Sequence, residues 1–568
     1  MRRGTAWTIF LLTSLVFGLL FLAPLWMVIK GGFIVSGSFT LKYLAGVFRN
    51  PIYTEGLFNS LMLAIGTTSI VTAIAVPLAW LTNKYDFPGK KFVSGMILVP
   101  MILPPFVGAI GFQQVLGQYG GLNALLGLGP VDWLGRAQYW GVVLLQALSL
   151  YPIMYLNTSA AMANIDPAME EAAANLGCKG IRKFFRITLP LIMPGLFAGG
   201  TIVFIWSFTE LGTPLIMNYT RCASVQVFDA LKEIGSNPFP YALVFVMLAA
   251  SVLLYAIGKF AFGGRAYAMQ SKAATVSATK KVSGVKGLLV LLPFAAVILI
   301  AMTPHLGVIA TSFAAPGSWY QSVLPQEWTG GNYIEALGHT MTVSSIKNSL
   351  FFSSLAVLFN VVLGIAIAFV VVRSDIPWRG ALDALAMLPL AVPGLVMAFG
   401  YLAISSQMSN TEFVKNSPFW QNLLDVRVNP TLFLIIAYSV RRLPYMVRSA
   451  VAGLQQTSVT LEEAAASLGA GFFTTLRRIT VPLITANLIA GALLAFAFSM
   501  LEVSDSLMLA QRQDFYPITK TIYELFQLLG TGQYIASALG VWAMAFLGVT
   551  ILGSSLILGK KLGAIFRA

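Results

Sequence analysis

The sequence predicts an all-α polytopic membrane protein with about twelve transmembrane helices, arranged as two parallel six-helix repeats. Three observations carry this. Hydrophobic residues make up 57% of the 568 positions and charged residues only 10%, well below the roughly 25% of a soluble domain. Uncharged runs of the roughly 20 residues needed to cross a bilayer recur along the chain. And one polar string appears twice, as "EEAAANLGCKGIRKFFRITLP" from Glu170 and "EEAAASLGAGFFTTLRRITVP" from Glu462.

The expected spans are about 7–29, 58–82, 92–116, 139–163, 188–216, 239–263, 287–313, 348–372, 382–405, 431–455, 480–508 and 534–559. The first apolar run is too long for the core of a signal peptide and reads as a retained helix. With the N-terminus in the cytoplasm, Lys and Arg fall on the cytoplasmic side about two to one over the outer side, as the positive-inside bias requires. This accounts for the net charge of +15 without nucleic acid. Both polar strings and both termini are then cytoplasmic. Cys178 and Cys222 lie on opposite sides, too far apart for a disulfide. The two histidines, His305 and His339, are too few for a histidine metal cluster, and no metal site is assigned. No phosphate-binding G-x-x-x-x-G-K-[ST] string is present.

The halves repeat. Asp86 and Asp375, Pro88 and Pro377, Pro100 and Pro389, and Pro104 and Pro393 are each 289 residues apart, whereas the polar strings are offset by 292. Six spans separate the copies, so the repeats are parallel with an axis along the membrane normal. The expected organisation is a first repeat at 1–263, a small, basic, flexible cytoplasmic linker at 264–286, and a second repeat at 287–568.

Each polar string is built to be a short helix. Asp166 can cap it and Pro167 suits its first position. Glu170 and Glu171 favour the positive helix start. Ala172, Ala173 and Ala174 are strong helix formers of little bulk, and Gly177 suits a left-handed terminus. The second copy has Ser458 as cap, Glu462, Glu463, Ala464, Ala465, Ala466 and Gly469. The expected helices cover about 167–177 and 459–469. Small residues would let another surface approach closely.

The pattern E-A-A, three residues, G, nine residues, I-x-[LV]-P is met by Glu171-Ala172-Ala173, Gly177, Ile187 and Pro190. It is met again by Glu463-Ala464-Ala465, Gly469, Ile479 and Pro482. It resembles the cytoplasmic signature of permease subunits of binding-protein-dependent ABC importers, and the likeness extends over nearly the whole chain. The resemblance implies a type I importer-like fold in the bacterial inner membrane. It implies coupling helices that rest on two copies of an ATP-binding subunit, and an outer solute-binding protein. ATP and Mg would sit on the partner ATPase, with no cofactor on this chain and no catalysis by it. Among such permeases the fused type is most similar to the ferric-iron importers and their thiamine, 2-aminoethylphosphonate and phosphosugar relatives, with ferric iron the first expectation. An ion-gradient-driven secondary transporter is the rival class, and it needs no such cytoplasmic helices.

Five residues mark a candidate substrate pathway. Arg441 and Arg442 lie about ten residues, or ~15 Å, into the tenth span, where charge faces a cavity or a partner. Their equivalents are Ser149 and Leu150. Either an ion pair with Glu502 or Asp505, or a contact to an anionic solute, fits them. Glu210 and Glu502 correspond at the 292 offset, each 20 residues past the proline that opens its span. With Asp505 on the same helical side as Glu502, they are expected to form an acidic outer vestibule. Its carboxylates suit a hard cation.

Overall fold

A computed structural model describes residues 3–35, 37–101, 104–135, 138–262 and 279–558. The expected linker lies outside these up to residue 278, as does the side chain of Glu170. The helices used below are α1 (Gly4–Phe33), α2 (Pro51–Lys84), α3 (Pro105–Leu116), α4 (Tyr139–Ala163), α5 (Pro167–Asn175), α6 (Leu189–Phe208), α7 (Gly212–Ile216) and α8 (Phe239–Phe262). The second half supplies α9 (Gly284–Phe313), α10 (Thr340–Arg373), α11 (Gly394–Ser409), α12 (Thr431–Gln456), α13 (Thr460–Ser467), α14 (Val481–Met500), α15 (Ser504–Leu509) and α16 (Gly532–Leu558).

Among the described residues, nine helices are long and apolar enough to cross a membrane, and two bent pairs bring the number to eleven. The expected tenth span, α12, is not among them. It carries Arg441, Arg442 and Arg448, and is buried along most of its length rather than offered to lipid. The count of twelve is therefore approximate, because a helix sheltered by its neighbours need not be apolar.

The third span of each half is broken. Lys90–Met101 meets Pro105–Leu126, and Arg379–Leu390 meets Gly394–Ser409, each at 97°. The paired prolines Pro100/Pro389 and Pro104/Pro393 lie at these breaks. Proline lacks the donor for an i→i−4 bond, and its ring clashes with that carbonyl.

The first helix of each half crosses to the other half. α1 packs on α11 and α9 packs on α3. Both crossings use glycine at equivalent positions, Gly111 and Gly400. A Cβ on Gly400 would lie 2.7 Å from the Pro24 carbonyl oxygen, and one on Gly111 would overlap the Val308 nitrogen. Pro24 also leaves the Leu20 carbonyl without its helical donor, and the Tyr401 hydroxyl of the other half donates to that oxygen at 2.7 Å. The crossings therefore clasp the halves together. Within each half the core forms where α4 packs on α2 and α6, and α12 on α10 and α14. In α4, 78% of the apolar window is buried, against 17% in α9, so α4 lies towards the axis and α9 on the periphery.

Candidate functional site

Two regions stand out, one outside the bundle and one on its axis. The outer region is the pair α5 and α13. Asp166 caps α5 by accepting from the Ala168 N–H at 2.9 Å, and Pro167 occupies the first turn. At the other end Gly177 has φ +82°. The Cys178 N–H reaches the Ala173 carbonyl at 2.9 Å and the Gly177 N–H reaches that of Ala174 at 3.0 Å, the paired closure that a left-handed residue allows. α13 closes identically, with Gly469 at φ +83° and Ala470 and Gly469 donating to Ala465 and Ala466. Its start differs slightly: the helix begins at Thr460, whose N–H donates to Ser458 Oγ at 3.3 Å.

The exposed and inward faces are the same in both. Glu171, Ala172, Glu463 and Ala464 are exposed, whereas Ala173 and Ala465 are buried. Glu462 is turned inward. Its Oε1 accepts from Arg373 Nε at 3.2 Å and Thr480 Oγ1 at 3.3 Å. Arg373 also donates through Nη2 to the carbonyls of Leu454 and Thr457, bracing α13 to the end of α10. Of the two glutamates in this copy, Glu463 is thus the one open to a partner.

Sequence reasoning missed the apolar part of this surface. Leu176 and Leu468 are 88% and 89% exposed, and Ile181 and Phe473 are 76% and 79% exposed. Both pairs obey the 292 offset. Isolated exposed leucines need no explanation, but large apolar residues bared twice at matched positions do. The available signal was the leucine before each glycine, "NLG" and "SLG".

The axial region is a cavity of about 160 Å³ lined by both halves. Its wall reads as pairs: Pro100 with Pro389, Pro104 with Pro393, Trp206 with Phe498, Ile153 with Tyr445 and Glu210 with Glu502. The halves also touch at the edge of this wall, where a Cβ on Gly212 of α7 would come 2.8 Å from the Val503 side chain.

The charged residues depart from this symmetry. Arg441 Nη1 donates to Glu502 Oε1 at 2.5 Å and lies 3.5 Å from Asp505 Oδ2. Arg442 Nη2 donates to Glu502 Oε2 and to the Phe498 carbonyl, with its guanidinium 5.4 Å from the Phe498 ring centroid. The ion pair allowed for the two arginines is therefore present. Arg441 lies directly over Gly394, where a Cβ would overlap its guanidinium. In the first half the equivalents of Arg441 and Gly394 are Ser149 and Pro105, so the bulk is exchanged between the two positions.

Glu210 stands across the axis within electrostatic reach of Arg441 and Glu502. Its Oε1 accepts from the backbone N–H and hydroxyl of Thr213, both at 3.3 Å. The carboxylates do not open on a bare surface: Glu502 is 3% and Asp505 0% exposed, because α14 ends at Met500 and the buried α15 follows. Among the described residues, no group of three or more His, Cys, Asp or Glu side chains is placed to hold a metal ion.

A bundle of two like halves around an axial cavity, with a matched pair of short helices standing out from it, defines a membrane transport subunit. The chain belongs to the family of binding-protein-dependent transport system inner membrane components, whose profile matches residues 73–262 and 360–560. It is 26% identical to the ferric transport system permease protein FbpB of Actinobacillus pleuropneumoniae over 486 residues, 81% of this chain and 64% of that protein. The chain thus spans somewhat less than two thirds of that relative. It is 26% identical to the putative ferric transport system permease protein FbpB 1 of Haemophilus influenzae over 489 residues, 82% of this chain and 70% of that one. The molybdenum transport system permease protein ModB of Escherichia coli is 27% identical over 221 residues, 37% of this chain and 95% of ModB.

Proposed function

We propose that this chain is the permease of an ATP-driven importer, and that it passes ferric iron from an outer binding protein to the cytoplasm by alternating access. The observation that carries the transport reading is the duplicated exposed helix. α5 and α13 share one exposed carboxylate, one inward alanine and one bared leucine at one spacing. Two like projections on one chain fit two copies of one partner, here an ATP-binding subunit that carries the ATP and Mg. Glu171, Glu463, Leu176 and Leu468 make the contact in this reading, with Ala172 and Ala464 allowing close approach. Glu462 is assigned to the coupling element as its anchor, and Glu170, its equivalent in the sequence, is assigned to the same element. Gly177 and Gly469 close it, and Ala173 and Ala465 seat it on the bundle. Both termini are cytoplasmic, and the repeats run 1–263 and 287–568 around a basic linker.

Iron as cargo is supported by the ferric permeases among the relatives. An oxyanion, such as molybdate, 2-aminoethylphosphonate or a phosphosugar, is the second reading, favoured by the two arginines on the cavity wall. Those guanidinium groups are already engaged by carboxylates, so the cation comes first. Thiamine remains an alternative organic cation. The test is reconstitution of the permease with its ATPase and binding protein in liposomes. Uptake of radioactive ferric iron that needs both ATP and the binding protein is expected. Uptake driven by an ion gradient without the ATPase would contradict the transport reading. ATP-dependent uptake of molybdate but not iron would overturn the cargo alone.

A further inference from the structure

We propose that Phe228 and Tyr523, with Lys520 beside them, are the outer gate of the path, the contact that parts when solute enters the axial cavity. What opens the gate rests on the transport reading above, whereas the gate itself rests on geometry. Two short helices, Ala223–Asp229 and Ile518–Phe526, follow α7 and α15 in the chain. They are held alike. Ser60 Oγ accepts from the Ala223 N–H at 3.0 Å, and Ser349 Oγ accepts from the Ile518 N–H at 2.8 Å. Ser224 Oγ donates to the Glu210 carbonyl and Thr519 Oγ1 to the Glu502 carbonyl, both at 2.6 Å. Each helix is thus bonded directly to the backbone of a residue on the cavity wall. The matching bonds make the two helices equivalent at an offset of 295, three more than at Glu210 and Glu502.

At this offset Phe228 and Tyr523 correspond, and they touch. Their rings meet edge to face, with centroids 6.2 Å apart and planes at 84°. Two positions related by a two-fold axis can touch only where the axis passes between them. The pair therefore stands on the axis. It lies beyond the far ends of α6 and α14, away from the projecting helices α5 and α13. Lys520 breaks the symmetry, because its equivalent is Val225. It is 7% exposed. Its Nζ lies 5.4 Å from the Tyr523 ring centroid, 5.5 Å from that of Tyr516 and 5.9 Å from that of Phe228. It also pairs with Glu524 Oε1 at 2.8 Å. An ammonium packed on aromatic rings is drawn to their negative faces.

This contact is built to part. Lys520, Tyr523 and Glu524 ride on one helix, so Lys520 keeps its counter-ion when Phe228 moves away. No charge is left buried alone, which would be the costly outcome. What breaks is one ring–ring and one cation–ring contact, both weak and reversible. The crossings at Gly111 and Gly400 instead press backbone against glycine. Backbone contacts clasp the halves, and side chains latch them on the axis.

Access to the cavity from outside tests this in spheroplasts that carry the complete permease–ATPase complex. Cys178→Ser and Cys222→Ser remove the native thiols, and Ser149→Cys places one on the cavity wall. The reagent is a small, charged, membrane-impermeant methanethiosulfonate. Labelling should be slow in this parent and about three- to tenfold faster with Phe228→Ala, the population shift that losing one ring contact gives. Lys520→Ala should speed it too, and an unchanged rate would remove Lys520 from the gate. Phe413→Ala, an exposed ring outside the gate, should change nothing. A gain there as large as that of Phe228→Ala would mean general loosening and overturn the gate. Equal rates with and without Phe228→Ala in assembled complexes would overturn it as well. Should Phe228→Ala fail to assemble, Phe228→Leu keeps bulk and removes the ring, and an unchanged rate there would overturn the gate instead. Adding the ferric-loaded binding protein to energised spheroplasts should speed labelling of the parent. The Phe228→Ala gain without that response leaves the gate standing and removes the ATP-driven ferric reading. The response without the gain does the reverse.

Discussion

The projecting helices and the axial cavity are both products of the repeat, and they have diverged to different degrees. α5 and α13 keep the same closure, the same inward alanine and the same bared leucine. In the cavity wall, Ser149 and Leu150 occupy the positions that Arg441 and Arg442 hold in the other half, and Pro105 that of Gly394. A surface that meets two copies of one partner must present the same shape twice. A single path on the axis carries no such demand, because one solute meets both walls at once. Symmetry outside and asymmetry inside therefore mark two kinds of neighbour.

The largest expected effect comes from breaking the inner asymmetry. Arg442→Leu leaves Glu502 with a buried oxygen facing no donor, and loss of one partner from a buried pair costs about 3–5 kcal/mol. The variant should be depleted from the membrane fraction, as measured by quantitative blotting. The equivalent change in the first half, Leu150→Val, should leave the amount of protein near wild type. Comparable yields of the two variants would remove the asymmetry from the account.

Next come the crossings. Gly400→Leu drives a side chain into the Pro24 backbone and Gly111→Leu into that of Val308, overpacking that costs about 1–3 kcal/mol or more. Both should lower the melting temperature of the purified permease by similar amounts. A large effect at one glycine and none at the other would mean that only one crossing clasps the halves.

These crossings show what the sequence could and could not reveal. Apolar runs and paired prolines made the spans and the repeat legible, because each depends on local chain chemistry, whereas the third spans read as continuous helices at 92–116 and 382–405, without the breaks at their prolines. Gly111 and Gly400 gave no such signal. Their partners, Val308 and Pro24, lie hundreds of residues away, and a glycine in an apolar run does not say whose backbone it admits. The charge in the tenth span was legible as an ion pair with Glu502 or Asp505, since buried charge must be matched. The enclosure of those carboxylates was not, because it depends on α14 stopping at Met500 and on the burial of α15, which carries Asp505 itself. Leu176 and Leu468 looked like the ordinary apolar neighbours of a glycine terminus, and only their exposure marks them as contact residues.

A smaller effect tests the outer symmetry. Leu176→Glu and Leu468→Glu leave the core untouched, so membrane levels should stay within about 0.5 kcal/mol of wild-type stability, as for most surface changes. Each should reduce ATPase co-purification, and the double variant should abolish it. With the smallest effect on coupling, Gly469→Ala places a Cβ at φ +83° in open space. It should cost about 1 kcal/mol, seen as a slight fall in melting temperature with coupling retained.

The most direct test is the distance between the two projecting helices during the ATPase cycle. Spin labels at positions 168 and 460, exposed at the end of each helix away from Leu176 and Leu468, with Cys178 and Cys222 replaced, report it by pulsed electron resonance in the complete reconstituted complex. If both helices ride on one ATPase pair, the distance should shorten when ATP closes that pair and return after hydrolysis. A distance that stays the same with and without ATP, in a complex that still hydrolyses it, would contradict the account.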